Sequence, residues 1–211
     1  MKMDAPRISR ELPRKGFKEI FYEEDFSLET CEVVDSVFDN EVIDKLRLYD
    51  VVLKDCSFVH TDFGQVDLTD VIFDGCNLSN TVLRKSSIHR VVFRNCKLVG
   101  VDFSESYFGN VGIEDSVLNL AAFGESKLEK VIFKNTALKG TDFFNCKLKN
   151  VEFQECLLDG ANFSETSLKG IDIRTSTFDE LLVDLKDLRG CKVSSYQAIQ
   201  FASLMGLVIK D

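Results

Sequence analysis

The chain has 211 residues, is 45% hydrophobic and carries a net charge of -9 at pH 7, which suits one domain or one elongated array and excludes disorder throughout. Its acidity, with a pI near 4.9, opposes direct nucleic-acid binding, which draws on many Lys/Arg contacts to phosphate. No apolar run approaches the roughly 18 residues of a membrane span, and the opening MKMDAPRISRELPRKG carries charges where a signal peptide needs its apolar stretch, so a cytoplasmic protein is expected.

Residues 1–27 read as an N-terminal flexible segment and cap. The basic stretch through Lys15 is expected to be flexible, and FKEIFYEEDF places Ile20 and Tyr22 over the structure that follows.

From Leu28 to Leu188 every residue whose number ends in 3 or 8 is Leu, Phe, Ile or Val. The residue two earlier is mostly small or β-branched, as in Thr61, Val66, Val71, Cys76 and Thr81, with exceptions at Phe26, Glu41, Leu46, Leu181 and Lys186. A period of five matches neither a helix nor a continuous strand, so each unit combines a short strand with a turn. Its two inward residues are two apart, and the next inward residue lies beyond the turn. Repetition winds such units into a solenoid with two side chains per unit in its interior. Leu and Phe predominate at alternate centres, and Phe103, Phe123, Phe143 and Phe163 recur at twenty, which fits either two or four faces per coil; two would make a flat coil with no room for Phe opposite Leu, so four are expected. The array, residues 28–190, then forms a rod about 40 Å long at ~4.8 Å per coil.

All seven cysteines fall on the small inward position, without CxxC pairs, and read as core residues rather than disulfides or metal ligands, although Cys56, Cys76 and Cys96 would stack. His60 and His89 take outward positions with no nucleophile or ligand partner in view, so neither catalysis nor a cofactor is expected. Gly64, Gly100, Gly109, Gly124, Gly140, Gly160 and Gly170 occupy outward turn positions where positive φ is expected.

Function then belongs to the outward faces and the ends. Residues 17–80 carry sixteen acids against four bases, whereas residues 81–100 carry Arg84, Lys85, Arg90, Arg94 and Lys97 and no acid. Stacking at twenty puts Asp35, Asp55, Asp115 and Glu155 in one column and Asp62, Asp102 and Asp142 in another, which either presents carboxylates as DNA presents phosphates or simply solubilises the array. Asp74, Arg94, Glu114 and Lys134 form a compensating charge ladder. Val52, Ile72, Val92 and Ile132 form an outward apolar column, either a strand ladder or a partner-binding stripe.

Residues 191–211 leave the register in SSYQAIQFASLMGLVIKD. Ser194 or Ser195 caps a helix, Gly206 ends it, and Leu207, Val208 and Ile209 suit a terminal strand. Gln197, Gln200 and Ser203 form one narrow polar stripe, and Tyr196, Ile199, Phe201, Leu204 and Met205 lie on the wide apolar remainder. With Leu207 and Val208 these residues are the candidate interface of a twofold homodimer about 80 Å long, the alternative being a cap folded over its own last coil.

The A/S/T/C/V-x-L/F-x-x pattern over most of the chain resembles the pentapeptide-repeat family, which implies an all-β solenoid, a right-handed quadrilateral β-helix with a C-terminal capping and dimerisation helix. The ending QAIQFASLMGLVI is similar to the C-terminal module of the Qnr quinolone-resistance proteins. That resemblance implies an acidic, dimeric mimic of DNA that binds DNA gyrase and topoisomerase IV and protects them from fluoroquinolones. The register here is continuous, whereas many Qnr proteins carry inserted loops, so an inhibitor without protection, or a scaffold for an unrelated partner, stands beside that reading.

Overall fold

In a computed structural model, residues 2–22, 25–208 and 210 are described. Seven eight-residue strands, β1 (Ser27–Val34), β2 (Arg47–Lys54), β3 (Asp67–Asp74), β4 (Ser87–Arg94), β5 (Tyr107–Glu114), β6 (Lys127–Lys134) and β7 (Lys147–Gln154), pair in parallel in sequence order. Each residue faces the one twenty later, as Leu48 faces Leu68 and Phe73 faces Phe93. The twenty-residue period holds four pentapeptides, so each coil has four faces, named here by the inward residues Leu48, Leu53, Phe58 and Phe63 of the second coil. Parallel bridges continue the stacking on the other two faces, from Val37↔Ser57 to Leu157↔Thr177 on one and from Val42↔Asp62 to Asp142↔Asn162 on the other. The result is a β-solenoid of about eight coils.

Both inward positions have a physical role. The centres stack coil on coil, with ring centroids 5.2 Å apart for Phe103 and Phe123, 5.0 Å for Phe123 and Phe143, and 4.9 Å for Phe143 and Phe163. The small residues bond the backbone: Thr61 Oγ1 donates to the Phe38 carbonyl at 2.7 Å, Thr81 Oγ1 to Phe58 at 2.7 Å and Ser126 Oγ to Phe103 at 2.9 Å. Cys146 Sγ lies 3.0 Å from the Phe123 carbonyl, the same position served by a weaker donor. Six cysteines are buried and Cys191 is partly so; burial pushes the Cys146 thiol up to about 12 and Cys156 to about 11.

Corners are made by left-handed backbone at residues ending in 0 or 5, including Asp35 (φ 53°), Asn40 (60°), Lys45 (61°) and Asp50 (56°). Gly75, Gly100, Gly140, Gly160 and Gly170 also have positive φ, but Gly64, Gly109 and Gly124 do not. There the corner is the next residue, Gln65, Asn110 or Glu125, because the turn is tied to register rather than to glycine.

At the N-terminal end one of the two expected cap residues, Ile20, is inward and the other is not. Phe17 and Ile20, in a 3-10 helix (Phe17–Tyr22), are buried, and the Phe17 ring lies 4.8 Å from both Phe38 and Phe58. Tyr22, expected over the first coil, is 82% exposed, since the Phe17 side chain already closes that end. At the other end β7 has a sheet partner on one side only, and a cleft of about 430 Å³ separates it from the segment containing Gly170 and Asp172. Short strands β8 (Ala161–Asn162) and β9 (Leu181–Leu182) continue the stack on the Phe63 face.

Candidate interaction surfaces

Asp35, Asp55, Asp115 and Glu155 are exposed at the corner between the Leu53 and Phe58 faces, at φ of 53°, 52°, 49° and 56°. Asp55 leans over Gly75 so closely that a Cβ there would collide with its carboxylate. Asn135 Nδ2 donates to Asp115 Oδ1 at 2.7 Å, whereas Asn95 turns sideways to Asp74 Oδ1 at 3.2 Å. Asp62, Asp102 and Asp142 lie half-buried on the Phe63 face, and each accepts the backbone N–H two residues on: Gly64 at 2.9 Å, Ser104 at 3.0 Å and Phe144 at 3.1 Å. This second column therefore closes turns as well as carrying charge. The two columns lie on different sides of the rod, with the whole Phe58 face between them.

The basic residues 84–97 do not form a patch. Their positions distribute them around one coil, and three meet acids of neighbouring coils: Arg90 with Asp70 at 2.6 Å, Arg94 with Asp74 at 2.6 Å and Lys85 with Glu105 at 3.6 Å. Asp70 is 1% exposed and bidentate with Arg90, and although desolvation opposes it, the Arg90 hydrogen bonds hold its carboxyl below the usual range.

A helix, α1 (Ser195–Ala202), covers the last coil. Ser194 caps it reciprocally: Gln197 N donates to Ser194 Oγ at 3.2 Å, and Ser194 N donates to Gln197 Oε1 at 2.9 Å. Gln197, read in sequence as part of a polar stripe, is buried, and its Nε2 donates to the carbonyls of Ile173 and Ser176, both at 2.8 Å. Phe201, assigned to the intermolecular face, is 9% exposed, with its ring 5.3 Å from Phe178, because the underside of α1 needs an apolar cover for the last coil. Tyr196, Ile199, Leu204, Met205, Leu207 and Val208 remain exposed, from 41% at Leu204 to 83% at Val208. Leu207 and Val208 form no strand within the chain, and Ile209 lies outside the described residues.

Residues 2–12, within the stretch through Lys15 expected to be flexible, instead run lengthwise along the corner between the Leu48 and Leu53 faces, and Arg14 bridges Glu32 of β1 in parallel. The backbone N–H groups of Ser9, Arg7 and Asp4 donate to Asp50 Oδ1 at 2.8 Å, Asp70 Oδ1 at 2.8 Å and Asn110 Oδ1 at 3.0 Å. Lys15 N donates to the Glu32 carbonyl and Glu32 N to that of Pro13, both at 3.0 Å. Corner carboxylates one coil apart supply the acceptors, and no sequence period reveals this pairing, because the donors come from a segment without repeats. The apolar column is partly covered as a result: Val52 is 8% exposed and Gly112 is buried beside Met3.

The sequence profile of the pentapeptide repeat region matches residues 46–119 and again 86–163, which together span more than half of the chain. The chain belongs to the pentapeptide-repeat family. Among solved structures it is similar to QnrB1 after trypsin treatment, described as a plasmid-mediated fluoroquinolone resistance protein, with 22% identity and a TM-score of 0.60 over 88% of this chain and 99% of that one. Full-length QnrB1 aligns with 24% identity and a TM-score of 0.54, over 83% and 90% of the two chains. At such identities the likeness shows the fold. None of the curated proteins matches the chain in sequence.

As a pentapeptide-repeat chain it is a scaffold, and no catalytic function is indicated. Among the described residues no group of His, Cys, Asp and Glu is arranged to hold a metal ion, and no helix is long and apolar enough to cross a membrane. Sequence reasoning missed Asp50 and Asp70 as the acceptors that seat the N-terminal segment, although both are corner residues of one column.

Proposed function

We propose that this pentapeptide-repeat protein binds a bacterial type II topoisomerase, DNA gyrase or topoisomerase IV, in place of duplex DNA and protects it from fluoroquinolones. The reading rests first on the exposed corner acids Asp35, Asp55, Asp115 and Glu155, held in a fixed line by the left-handed corner backbone. A rigid line of carboxylates meets a phosphate-binding groove without the ordering cost of a flexible acidic tail. Asp62, Asp102 and Asp142 add charge on the Phe63 face. The solenoid fold shared with QnrB1 and the exposed apolar end, which suits a homodimer, support the same reading.

The unbroken register from Leu28 to Leu188 favours a second reading, inhibition without protection, because no loop leaves the rod between repeats to approach a bound drug. Supercoiling by purified gyrase, titrated with the protein with and without a fluoroquinolone, separates the two. Restored supercoiling with drug is the expected result. Loss of activity without drug and no rescue with it identifies an inhibitor, and no change in either series removes topoisomerase as the partner.

A further inference from the structure

Exposed apolar side chains and acids without a cation partner coincide on one stretch of the Phe58 face. Val117, Leu120 and Leu157 are exposed there, with Ala137, Gly140 and Gly160 between them. Leu120 has φ 60° in a corner column whose neighbours, Asn80, Gly100, Gly140 and Gly160, accept left-handed backbone at lower cost. Its side chain lies against the next corner, where a Cβ on Gly140 would stand 3.0 Å from Leu120 Cδ2. With no side chain at Gly140 or Gly160, Leu120 forms a ridge above a flat floor. The floor leads to a hollow of about 290 Å³, lined by residues that include Lys139, Leu157, Asp159 and Tyr196.

The charges around this ridge are not balanced within the chain. Residues 115–120, 135–140, 155–160 and 175–180 hold Asp115, Glu155, Asp159, Asp179 and Glu180 against Lys139. Among the described residues none of these five acids joins an ion pair, whereas on the Leu48 and Leu53 faces Asp70 meets Arg90, Asp74 meets Arg94 and Glu129 meets Lys149, each at 2.6 Å. Asp115 Oδ1 accepts from the neutral Asn135, and Asp159 Oδ1 accepts the backbone N–H groups of Asp179 and Glu180 at 3.2 and 3.3 Å. A Leu in strained backbone gains little inside this fold, and the acids beside it repel one another. Both gain from a partner surface that is apolar at its centre and basic at its rim.

We propose that the Phe58 face from the fifth to the eighth coil is the side that meets the topoisomerase, with Leu120 as the apolar anchor of the interface and the five acids as its rim. The inference rests on the topoisomerase reading above and adds that docking is not by charge alone: the groove that receives the acids also offers an apolar contact to Leu120. Duplex DNA projects no aliphatic side chain of this kind, so Leu120 separates this protein from the nucleic acid it replaces.

The test passes purified gyrase, and separately topoisomerase IV, over the immobilised full-length protein in surface plasmon resonance, at salt concentrations from about 50 to 200 mM. Three variants accompany the wild type: Leu120→Asn, the pair Asp115→Asn with Glu155→Gln, and Val42→Thr, which alters an exposed apolar residue on the Phe63 face of the first coil. Leu120→Asn relieves backbone strain, so misfolding does not account for a loss of binding. It is expected to weaken binding about tenfold at every salt concentration and to leave the salt dependence unchanged. The acid pair is expected to weaken binding at low salt and to flatten the salt dependence, and Val42→Thr to bind as the wild type does. Full binding by Leu120→Asn, an equal loss in Val42→Thr, or an unaltered salt dependence in the acid pair overturns the inference while the topoisomerase reading stands. A wild type that binds neither enzyme removes that reading and this inference together.

Discussion

Leu120 shows how strictly the register governs single residues. It stands at a corner with φ 60° and is 68% exposed, so a branched apolar side chain is held in left-handed backbone with little packing in return. Its neighbours in the same column, Asn80, Gly100 and Gly140, are residues that accept that conformation. Leu120→Asn is therefore expected to raise stability by about 0.5–1 kcal/mol, read as a higher denaturant midpoint at unchanged m-value. Asp70 illustrates the opposite case, a charge whose burial is tolerable because Arg90 meets it twice at 2.6 Å and Arg7 N–H adds a third bond. Arg90→Ala should cost roughly 2 kcal/mol at pH 7, less than a fully buried pair because the Arg7 donor remains. The folded carboxyl titrates below its ordinary value, so its contribution is present above about pH 3.9 and is lost as pH falls through the lower folded value. Denaturant midpoints measured from pH 7 to pH 3 should show the deficit of Arg90→Ala shrinking toward the acid end.

At the scale of elements, the ends of the ladder need closure while its middle is self-satisfied. Phe17 closes the first coil from below, in ring contact with Phe38, Phe58 and Phe63. Phe17→Ala should cost about 3–4 kcal/mol by emptying that seat. In a one-dimensional array the loss is local, so hydrogen exchange should accelerate in β1 and β2 while β5 and β6 keep their protection. The helix α1 closes the other end through Gln197 and Phe201, and its outer side stays apolar.

For the whole molecule, that outer apolar side suits a second copy of the chain. A homodimer through Tyr196, Ile199, Leu204, Met205, Leu207 and Val208 would double the rod to roughly 80 Å. Truncation after Gly190 should yield a monomer, but it also strips Phe178 of its cover. Ile199→Glu with Leu207→Glu keeps the cap and charges only the exposed face, so light scattering of this variant should give half the wild-type mass. An unchanged mass would mean that the end serves only its own last coil.

Much of this molecule was legible in one dimension because each pentapeptide meets the same environment every twenty residues. Periodicity in Leu, Phe, Thr and Cys is the direct imprint of stacking, so the sequence alone determined the coil length and the inward cysteines, and it favoured four faces over two. The arm on Asp50 and Asp70, the inward turn of Gln197 and Phe201, and the plugging by Phe17 carry no period. Each depends on a segment outside the repeat meeting one particular coil. Such contacts are fixed by distance in space, and only the tertiary structure decided them.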